Sequence, residues 1–553
     1  MRLPTLIADS GKPLGEGLLL AVHAPFGTDE TLSGFPDGLT LQVEQHPLVQ
    51  SLLQVAAAGV HVVALIDRVG DDTWLLDIPG GQPAAMKLVS RWKQDMSSPR
   101  NLAGFLEEAH RRYPAAPLVL ALEGHGAGYL PEIDRRQLTP SNVTEGGKFE
   151  WQYSDKEAAP ILPAGFPILP AGFPILPAGF PILPVNHMPM STYGLGLALK
   201  LARDKGVPMA SVIHFDNCFN MSVEVLHTVA PYADYATGYN NYNFFTSGAS
   251  YPKVFQNLQA AGSATAGQLA LWFADEQHAH LQALVGHPIV AGVVQLSRME
   301  GISQGIDRLS DALLDAMRNA PAGDRPAVLD LIQKAIELAQ QYDSEPGWDL
   351  ETPDQLTDIC SFADRLSQLA GHLPAVQARA ADLVKLLGGI KRHGDKAVPW
   401  LDDSGRIVWD FTERTLAMNI FLPDPVRTGQ WDWRSTYYVD VNPDPSKPLV
   451  QPGVIEFLKV TNWVEFLVEY HKDVPFKAFH VGSIPLLPPT RPQGGYTGGK
   501  GGTGGTGGTG GTGGKLGVRT VPPPAQRPRW PLGNLGQRMA DWLKRSRGDG
   551  QPS

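Results

Sequence analysis

Cysteine is nearly absent from this sequence, and its scarcity narrows the chemistry open to the chain. Only two of the 553 residues are cysteines, Cys218 and Cys360. Two isolated cysteines exclude a framework of disulfide bonds, and they lack the ligand spacing of a zinc site. A single thiol can still serve as a nucleophile, so the position of each cysteine in the chain matters.

The chain also lacks long apolar runs. No segment approaches the roughly 20 apolar residues that a membrane-spanning helix needs. The first residues do not place a basic segment before an apolar one, as a secretory signal does. Hydrophobic residues make up 43% of the chain and charged residues 18%, a balance typical of a large folded core. These features predict a cytoplasmic protein.

Positive charge is scarce outside the C-terminal tail. The formal net charge of −10 argues against a general nucleic-acid-binding protein. Eight lysine or arginine residues and two aspartates lie between Lys515 and Ser553, so this tail carries +6 and the rest of the chain −16. Residues 534–545 have the pattern of a short basic amphipathic helix. Such a tail either makes weak contact with an anionic membrane or a partner, or is a solubilising end without a partner.

Two segments have a strongly biased composition. The motif PILPAGF occurs three times between Pro160 and Phe180 and is followed by a fourth PILP. Proline at this density favours an exposed loop, which is either a repeat tolerated at the surface or an apolar segment that binds a partner. Residues 494–514 contain 14 glycines, which predicts a flexible linker.

Strand and helix signals alternate through the first 230 residues. Apolar runs such as HVVALIDR (61–68) are separated by amphipathic segments such as NLAGFLEEAHRRY (101–113). This order predicts an α/β fold with an open, mainly parallel sheet and helices on both faces.

Composition and periodicity divide the chain into three predicted parts. Residues 1–300 form the α/β domain, with the proline-rich insertion at about 137–188. Residues 301–475 are rich in amphipathic helices and predict a helical and β extension packed on that domain. Residues 476–553 predict a disordered linker and tail.

Two strand ends carry the candidate catalytic residues. PLVLALEGHGAGY (117–129) places His125 between two glycines after an apolar run, and SVIHFDNCFN (211–220) places Cys218 after another. If the two strands are neighbours, their carboxyl ends bring an imidazole and a thiol to one crevice. A thiol with a histidine partner is the minimum equipment of a cysteine nucleophile.

Each residue near these strand ends also has a plainer interpretation. We expect Cys218 to be exposed at its turn, whereas an inert cysteine is buried among apolar residues, as the pattern around Cys360 predicts. The N–H groups of Gly126 and Cys218 are candidates to bind the oxygen of an acyl group. Asp216, two residues before Cys218, is placed either to receive an arginine or lysine side chain or to be satisfied by backbone amides.

The order of these segments resembles that of the clostripain-like cysteine peptidases, of the caspase and gingipain clan. Besides the two strand ends, the similar segments include VVALIDR (62–68), DTWLLDIPG (72–80) and TNWVEFLVEYHK (461–472). The resemblance covers about residues 15–475. It implies a caspase-like sheet between helices over residues 1–300 and peptide hydrolysis through an acyl-enzyme.

The resemblance also implies residue roles. Cys218 would be the nucleophile, His125 the acid and base, and Gly126 part of the oxyanion hole. The chain departs from the family at Asn217, where a small residue is usual, and at Ser247, where a second acid is expected. Asp216 and Ser247 are therefore the predicted substrate-binding residues.

Three functions stay open at this stage. The first is a cysteine endopeptidase that cleaves protein or peptide substrates after Arg or Lys. The second is a caspase-like scaffold that binds without turnover, and the third is an active peptidase with non-basic specificity. No cofactor or metal is expected from the residues, and calcium dependence is implied only by the resemblance.

Overall fold

The computed structural model describes most of the chain between residues 13 and 472. The described residues are 13–26, 42–68, 72–92, 96, 98–124, 126, 128–129, 190–241, 243, 248–285, 290–321, 323–342, 356–388, 390–393, 400–401, 407–409, 416–422 and 455–472. His125, Ser247, the proline-rich insertion and the tail from residue 476 lie outside these ranges, so the predictions made for them stay predictions.

In the part up to residue 300, strands and helices alternate as the sequence predicts. The strands are β1 (Leu19–Pro25), β2 (His61–Arg68), β3 (Asp72–Ile78), β4 (Lys87–Trp92), β5 (Leu118–Glu123), β6 (Ala210–Asp216), β7 (Ala233–Tyr239) and β8 (Ala291–Gln295). The helices are α1 (Pro47–Ala57), α2 (Pro99–Arg112), α3 (Thr192–Asp204), α4 (Val223–Val229), α5 (Tyr251–Ala261) and α6 (Ala266–Val285).

The C-terminal part is mostly helical. Its helices are α7 (Met299–Arg318), α8 (Arg325–Leu338), α9 (Ile359–Leu369), α10 (Pro374–Leu387), α11 (Glu456–Val460) and α12 (Trp463–Tyr470). Its strands are β9 (Leu356–Asp358), β10 (Lys391–His393), β11 (Trp400–Leu401), β12 (Ile407–Trp409) and β13 (Asn419–Phe421).

One sheet organises the described residues. It has nine strands in the order β10-β8-β7-β6-β5-β1-β2-β3-β4. The five central strands from β7 to β2 run parallel, and the strands at both edges pair antiparallel. An open, mainly parallel α/β sheet is the predicted fold class, and it is confirmed.

Strand side chains alternate between the two faces of the sheet. In β1, Leu19 and Ala21 pack in one buried apolar cluster, whereas Leu20 and Val22 pack in another. A central parallel strand is apolar on both sides because helices cover both of its faces. Here α1, α5 and α6 cover one face, and α2, α3, α4 and the C-terminal helices cover the other.

The C-terminal part is joined to the sheet in two ways. Strand β10 pairs antiparallel with β8 at the sheet edge, and Asn419 of β13 forms a bridge with Ser222. Helices α7 to α10 share their buried apolar cluster with the sheet face that carries Cys218. The division into two folded domains at residue 300 stays a prediction, although this packing shows that the two parts touch over a broad apolar surface.

Two sequence-based boundaries differ from the structure. The periodicity predicts a helix over 327–342, whereas α8 ends at Leu338 because Ala339 is extended, with ψ at 154°, and Gln341 then pairs with Thr357. The apolar run 414–423 predicts a strand, and among its described residues, 416–422, the strand β13 spans Asn419–Phe421. No helix among the described residues is both long and apolar enough to cross a membrane.

Candidate active site

Strands β5 and β6 are direct neighbours in the sheet. They pair parallel, with Glu123 opposite Asp216 at the carboxyl ends. Gly124 and Gly126 therefore follow one strand and Cys218 follows the other at the same edge, as the sequence predicts. His125 lies between these two glycines but outside the described residues, so its ring is not placed here.

The chain makes a tight turn directly after β6. We call residues 217–222 the Cys218 turn. Within it Phe219 has a φ of 62°, the only positive φ of a residue other than glycine in the described part of the chain. The left-handed conformation costs roughly 1–2 kcal/mol for a residue with a Cβ atom. The N–H of Phe219 donates to the carbonyl oxygen of Asn241 at 3.1 Å, and that of Met221 to Tyr239 at 3.0 Å.

The thiol of Cys218 is buried, with 5% of the residue exposed. The expectation that the turn exposes this cysteine is therefore wrong, and Asn243 contacts its sulfur. The backbone N–H of Asn243 donates to Sγ at 3.5 Å, and the thiol donates to Oδ1 of the same residue at 3.6 Å. An inert core cysteine packs among apolar atoms, whereas this one has polar contacts on its sulfur.

Gly126 lies against the backbone of Cys218. A Cβ atom on Gly126 would overlap the carbonyl oxygen of Cys218 and would lie 2.9 Å from its amide nitrogen. Only glycine fits this approach, because backbone atoms cannot move aside as a flexible side chain can. The two N–H groups predicted to bind an acyl oxygen therefore belong to segments that are in contact.

The carboxylate of Asp216 is buried at the end of β6. Its Oδ1 accepts hydrogen bonds from the side-chain amides of Asn243 at 3.0 Å and Gln277 at 2.7 Å, and Oδ2 accepts from the N–H of Gly248 at 3.3 Å. Neutral donors thus stabilise the carboxylate. Ser247, the other predicted substrate-binding residue, lies just before Gly248 but outside the described residues.

Glu123 is a second buried carboxyl group beside Asp216. Burial, with a further contribution from the negative charge of Asp216, raises the pKa of Glu123 well above its usual range. The hydroxyl of Tyr251 donates to Oε1 of Glu123. Two neighbouring carboxyl groups in a dry site do not ionise together easily, so the site favours the protonated form of Glu123, and the hydrogen bond from Tyr251 partly opposes this.

Asn217 takes the place at which the family usually has a small residue. Its Nδ2 donates to the carbonyl oxygen of Leu122 in β5 at 3.2 Å, and its Oδ1 accepts from Asn220 at 2.6 Å. The larger side chain therefore links the Cys218 turn to the neighbouring strand.

The site offers no ligand set for a metal within the described residues. No group of three or more His, Cys, Asp or Glu side chains there could hold an ion. The expectation of no cofactor and the family-based expectation of calcium dependence both stay predictions.

A comparison with protein families decides the identity of the chain. The profile of the clostripain family matches residues 188–466, just over half of the 553 residues. The chain belongs to the clostripain family. It is a cysteine endopeptidase, and the predicted resemblance to this family is confirmed; the match includes the Cys218 segment and begins after the His125 segment. A search of curated proteins by sequence found no match.

Some solved structures are similar to this clostripain-family chain. A secreted C11 cysteine protease from Bacteroides thetaiotaomicron, in complex with an irreversible peptide inhibitor, is 13% identical, with a TM-score of 0.46 over 73% of this chain and 92% of that one. An inactive zymogen C11 protease from Parabacteroides distasonis is also 13% identical, with a TM-score of 0.45 over 75% of this chain and 95% of that one.

The sequence-based reasoning missed several residues of this clostripain-family site. Glu123 was visible as a carboxylate at a strand end, next to the histidine-containing segment, and was a detectable candidate. Asn243 and Gln277 had no local signal, since each reaches Asp216 from a separate segment. Asn419, which contacts the Cys218 turn, is about 200 residues away in the chain.

Proposed function

We propose that this cysteine peptidase cleaves peptide bonds after Arg or Lys, with Cys218 as nucleophile and His125 as acid and base. The observation that carries the proposal is the position of Cys218, in a turn at the carboxyl end of β6, beside the strand that leads to His125. The N–H and Oδ1 of Asn243 contact its sulfur, and the backbone of Gly126 lies against the backbone of Cys218.

The proposed reaction has two stages. His125 accepts the proton of the Cys218 thiol, and the thiolate attacks the carbonyl carbon of the substrate to form a C–S bond. His125 then donates the proton to the leaving amine as the C–N bond breaks. Water, losing a proton to His125, attacks the resulting thioester, and the acid product leaves while Cys218 regains its proton.

The oxyanion of this reaction needs hydrogen-bond donors. We assign this role to the N–H groups of Gly126 and Cys218. The observation that supports this assignment is the contact between the backbones of Gly126 and Cys218, which leaves no room for a side chain on Gly126. Two backbone donors fixed before the reaction stabilise developing charge without reorganisation.

Specificity for a basic side chain rests on Asp216 and, less directly, on Ser247. A carboxylate at the strand end, two residues from the nucleophile, matches the charge and geometry of an arginine. In this structure Asn243, Gln277 and Gly248 already donate to Asp216. A bound arginine or lysine would have to join or replace one of these donors.

Two observations favour the other functions left open by the sequence. The burial of the Cys218 thiol favours an enzyme that needs activation over one that is active as folded, and it is the feature that a silent scaffold would share. The neutral donors on Asp216 favour an active peptidase with non-basic specificity, since the carboxylate is stabilised without a substrate.

A panel of fluorogenic peptides that differ only at the residue before the cleaved bond separates these functions. The purified full chain and Cys218→Ala are compared on Arg, Lys and neutral peptides, with and without calcium. Hydrolysis of the basic peptides alone, lost in Cys218→Ala, supports the proposal, and Asp216→Asn should then raise KM for the Arg peptide. Faster hydrolysis of neutral peptides contradicts the basic specificity, and no hydrolysis of any peptide favours the scaffold.

The C-terminal tail carries a separate proposal. We propose that the basic segment 534–545 makes weak contact with anionic surfaces in the cytoplasm, on the basis of its charge pattern alone. Sedimentation with anionic and neutral vesicles tests it, with Lys544→Glu/Arg545→Glu as the variant. Equal sedimentation of both proteins would mean that the tail only solubilises the chain.

A further inference from the structure

The C-terminal part of the chain makes direct contact with the Cys218 turn. Nδ2 of Asn419, the first residue of β13, donates to the carbonyl oxygen of Phe219 at 2.8 Å. The backbone N–H of Asn419 donates to the carbonyl oxygen of Met221 at 3.1 Å. One residue from outside the turn thus holds two of its carbonyl groups.

The orientation of the Asn419 amide is fixed by its surroundings. Besides Phe219, its Nδ2 donates to the carbonyl oxygen of Asn240 at 3.1 Å. Carbonyl oxygens only accept hydrogen bonds, so the nitrogen of the amide must face them. Asn419 is fully buried, and water cannot take over these hydrogen bonds if the side chain is removed.

A buried hydrogen-bond network fixes the residues next to Asn419. Nδ2 of Asn240 donates to the hydroxyl of Tyr342 at 3.0 Å, and this hydroxyl donates to Oδ2 of Asp358 at 2.6 Å. The same carboxylate oxygen accepts from the N–H of Ala417, two residues before Asn419, at 2.8 Å. Strand β13 is therefore tied at its start to a carboxylate of the C-terminal part.

The Cys218 turn needs such support because its backbone is strained. Phe219 has a φ of 62°, and a bulky residue with a Cβ atom rarely adopts this conformation without help from its surroundings. A donor fixed on the carbonyl oxygen of Phe219 sets the rotation of the peptide that follows it. The direction of the preceding residue, Cys218, depends on the same local backbone.

We propose that Asn419 is a positioning residue that holds the Cys218 turn in its left-handed conformation and so aims the thiol and the N–H of Cys218. The inference rests on the proposed function for its effect on catalysis. It makes the C-terminal part a component of the active site rather than an accessory.

Three variants of the full chain test the catalytic side of this proposal. Asn419→Ala and Asn419→Leu remove the donor, and the leucine keeps the number of side-chain heavy atoms. Leu313→Ala, in α7, is the control, because it creates a cavity in the C-terminal core at a fully buried position and removes no hydrogen bond. We expect both Asn419 variants to lower kcat about 100-fold with KM changed less than about threefold. Leu313→Ala should lower the unfolding temperature and leave kcat nearly unchanged.

Hydrogen exchange tests the positioning itself and needs no peptidase activity. In Asn419→Leu, the amides of Phe219 and Met221 should exchange at least about tenfold faster, whereas those of β6 should keep their rates. Unchanged exchange in the turn, or wild-type kcat in a folded Asn419 variant, would overturn the proposal. If the wild-type chain hydrolyses no peptide, the proposed function fails, and the exchange rates alone decide on Asn419.

Discussion

The two cysteines are equally buried but lie in different local backbones. Each is 5% exposed, and both side chains belong to the same apolar cluster. Cys218 follows a strand, precedes a residue with a φ of 62°, and has polar contacts from Asn243 on its sulfur. Cys360 lies in the first turn of α9, and its N–H donates to Oδ1 of Asp358 at 2.9 Å.

This comparison teaches that burial does not separate a reactive cysteine from a structural one. Backbone conformation does, because a strained turn is retained only where its surroundings over-determine it. Cys360 lies instead in a regular helix with a capped N-terminus. Four predictions test this contrast.

The largest effect is expected from removing one thiol at a time. Cys218→Ala should lower hydrolysis of an Arg-aminocoumarin peptide by at least about 10,000-fold, because the nucleophile is lost. Cys360→Ala should keep kcat/KM within about twofold, since core substitutions away from the site act on stability. Comparable losses in both variants would mean that the contrast between the two cysteines is wrong.

The contact between Gly126 and the Cys218 turn provides the next test. Gly126→Ala should lower kcat/KM by about 100- to 1,000-fold, because the added methyl group pushes the two oxyanion donors apart. Gly104→Ala is the matched control, since nothing lies within 4 Å of a Cβ atom at this position in α2.

We expect the control to raise the free energy of unfolding by about 0.5–1 kcal/mol, because alanine is the better helix former. Circular dichroism checks that both glycine variants are folded. A folded Gly126→Ala enzyme with full activity would argue against the assigned oxyanion hole.

The smallest effect concerns the region of Cys360. Asp358 caps α9, and its two oxygens accept from Cys360, Ser361, Tyr342 and Ala417. Asp358→Asn should lower the free energy of unfolding by about 3 kcal/mol, because the amide nitrogen would face two donors. Urea unfolding measures this loss, and Asp364→Asn in the same helix is the control.

The difference in the free energy of unfolding between the wild type and Asp358→Asn should depend on pH, because the pKa of Asp358 changes on folding. Burial is the largest cause that raises it from 3.8 to about 6, so the folded state binds the proton more tightly than the unfolded state. Between pH 4 and 6 the contribution of Asp358 to stability should therefore fall as the pH rises. The advantage of the wild type over Asp358→Asn should shrink across this window. An advantage that grows with pH would contradict the raised pKa.

Much of the fold was predictable from local sequence. The strands around His61 and Leu118 and the helix after Pro99 follow from short apolar runs and periodicity, and the neighbouring positions of β5 and β6 follow from the crossover between them. Local signals failed where a distant segment decides. Helix α8 ends at Leu338 because the chain beyond it pairs near β9, and no pattern in 327–342 encodes that partner.

The candidate site also combines features that local sequence predicts with features that depend on distant segments. Local sequence was enough to predict Gly126, Asp216 and Cys218 as the candidate residues at the two strand ends and the family to which the chain belongs. Packing alone reveals that the Cys218 thiol is buried beside Asn243, that neutral donors contact Asp216, and that Asn419 donates to the Cys218 turn. Periodicity records which face of an element is apolar, whereas a hydrogen bond between side chains from distant segments exists only once packing has brought their atoms within about 3 Å.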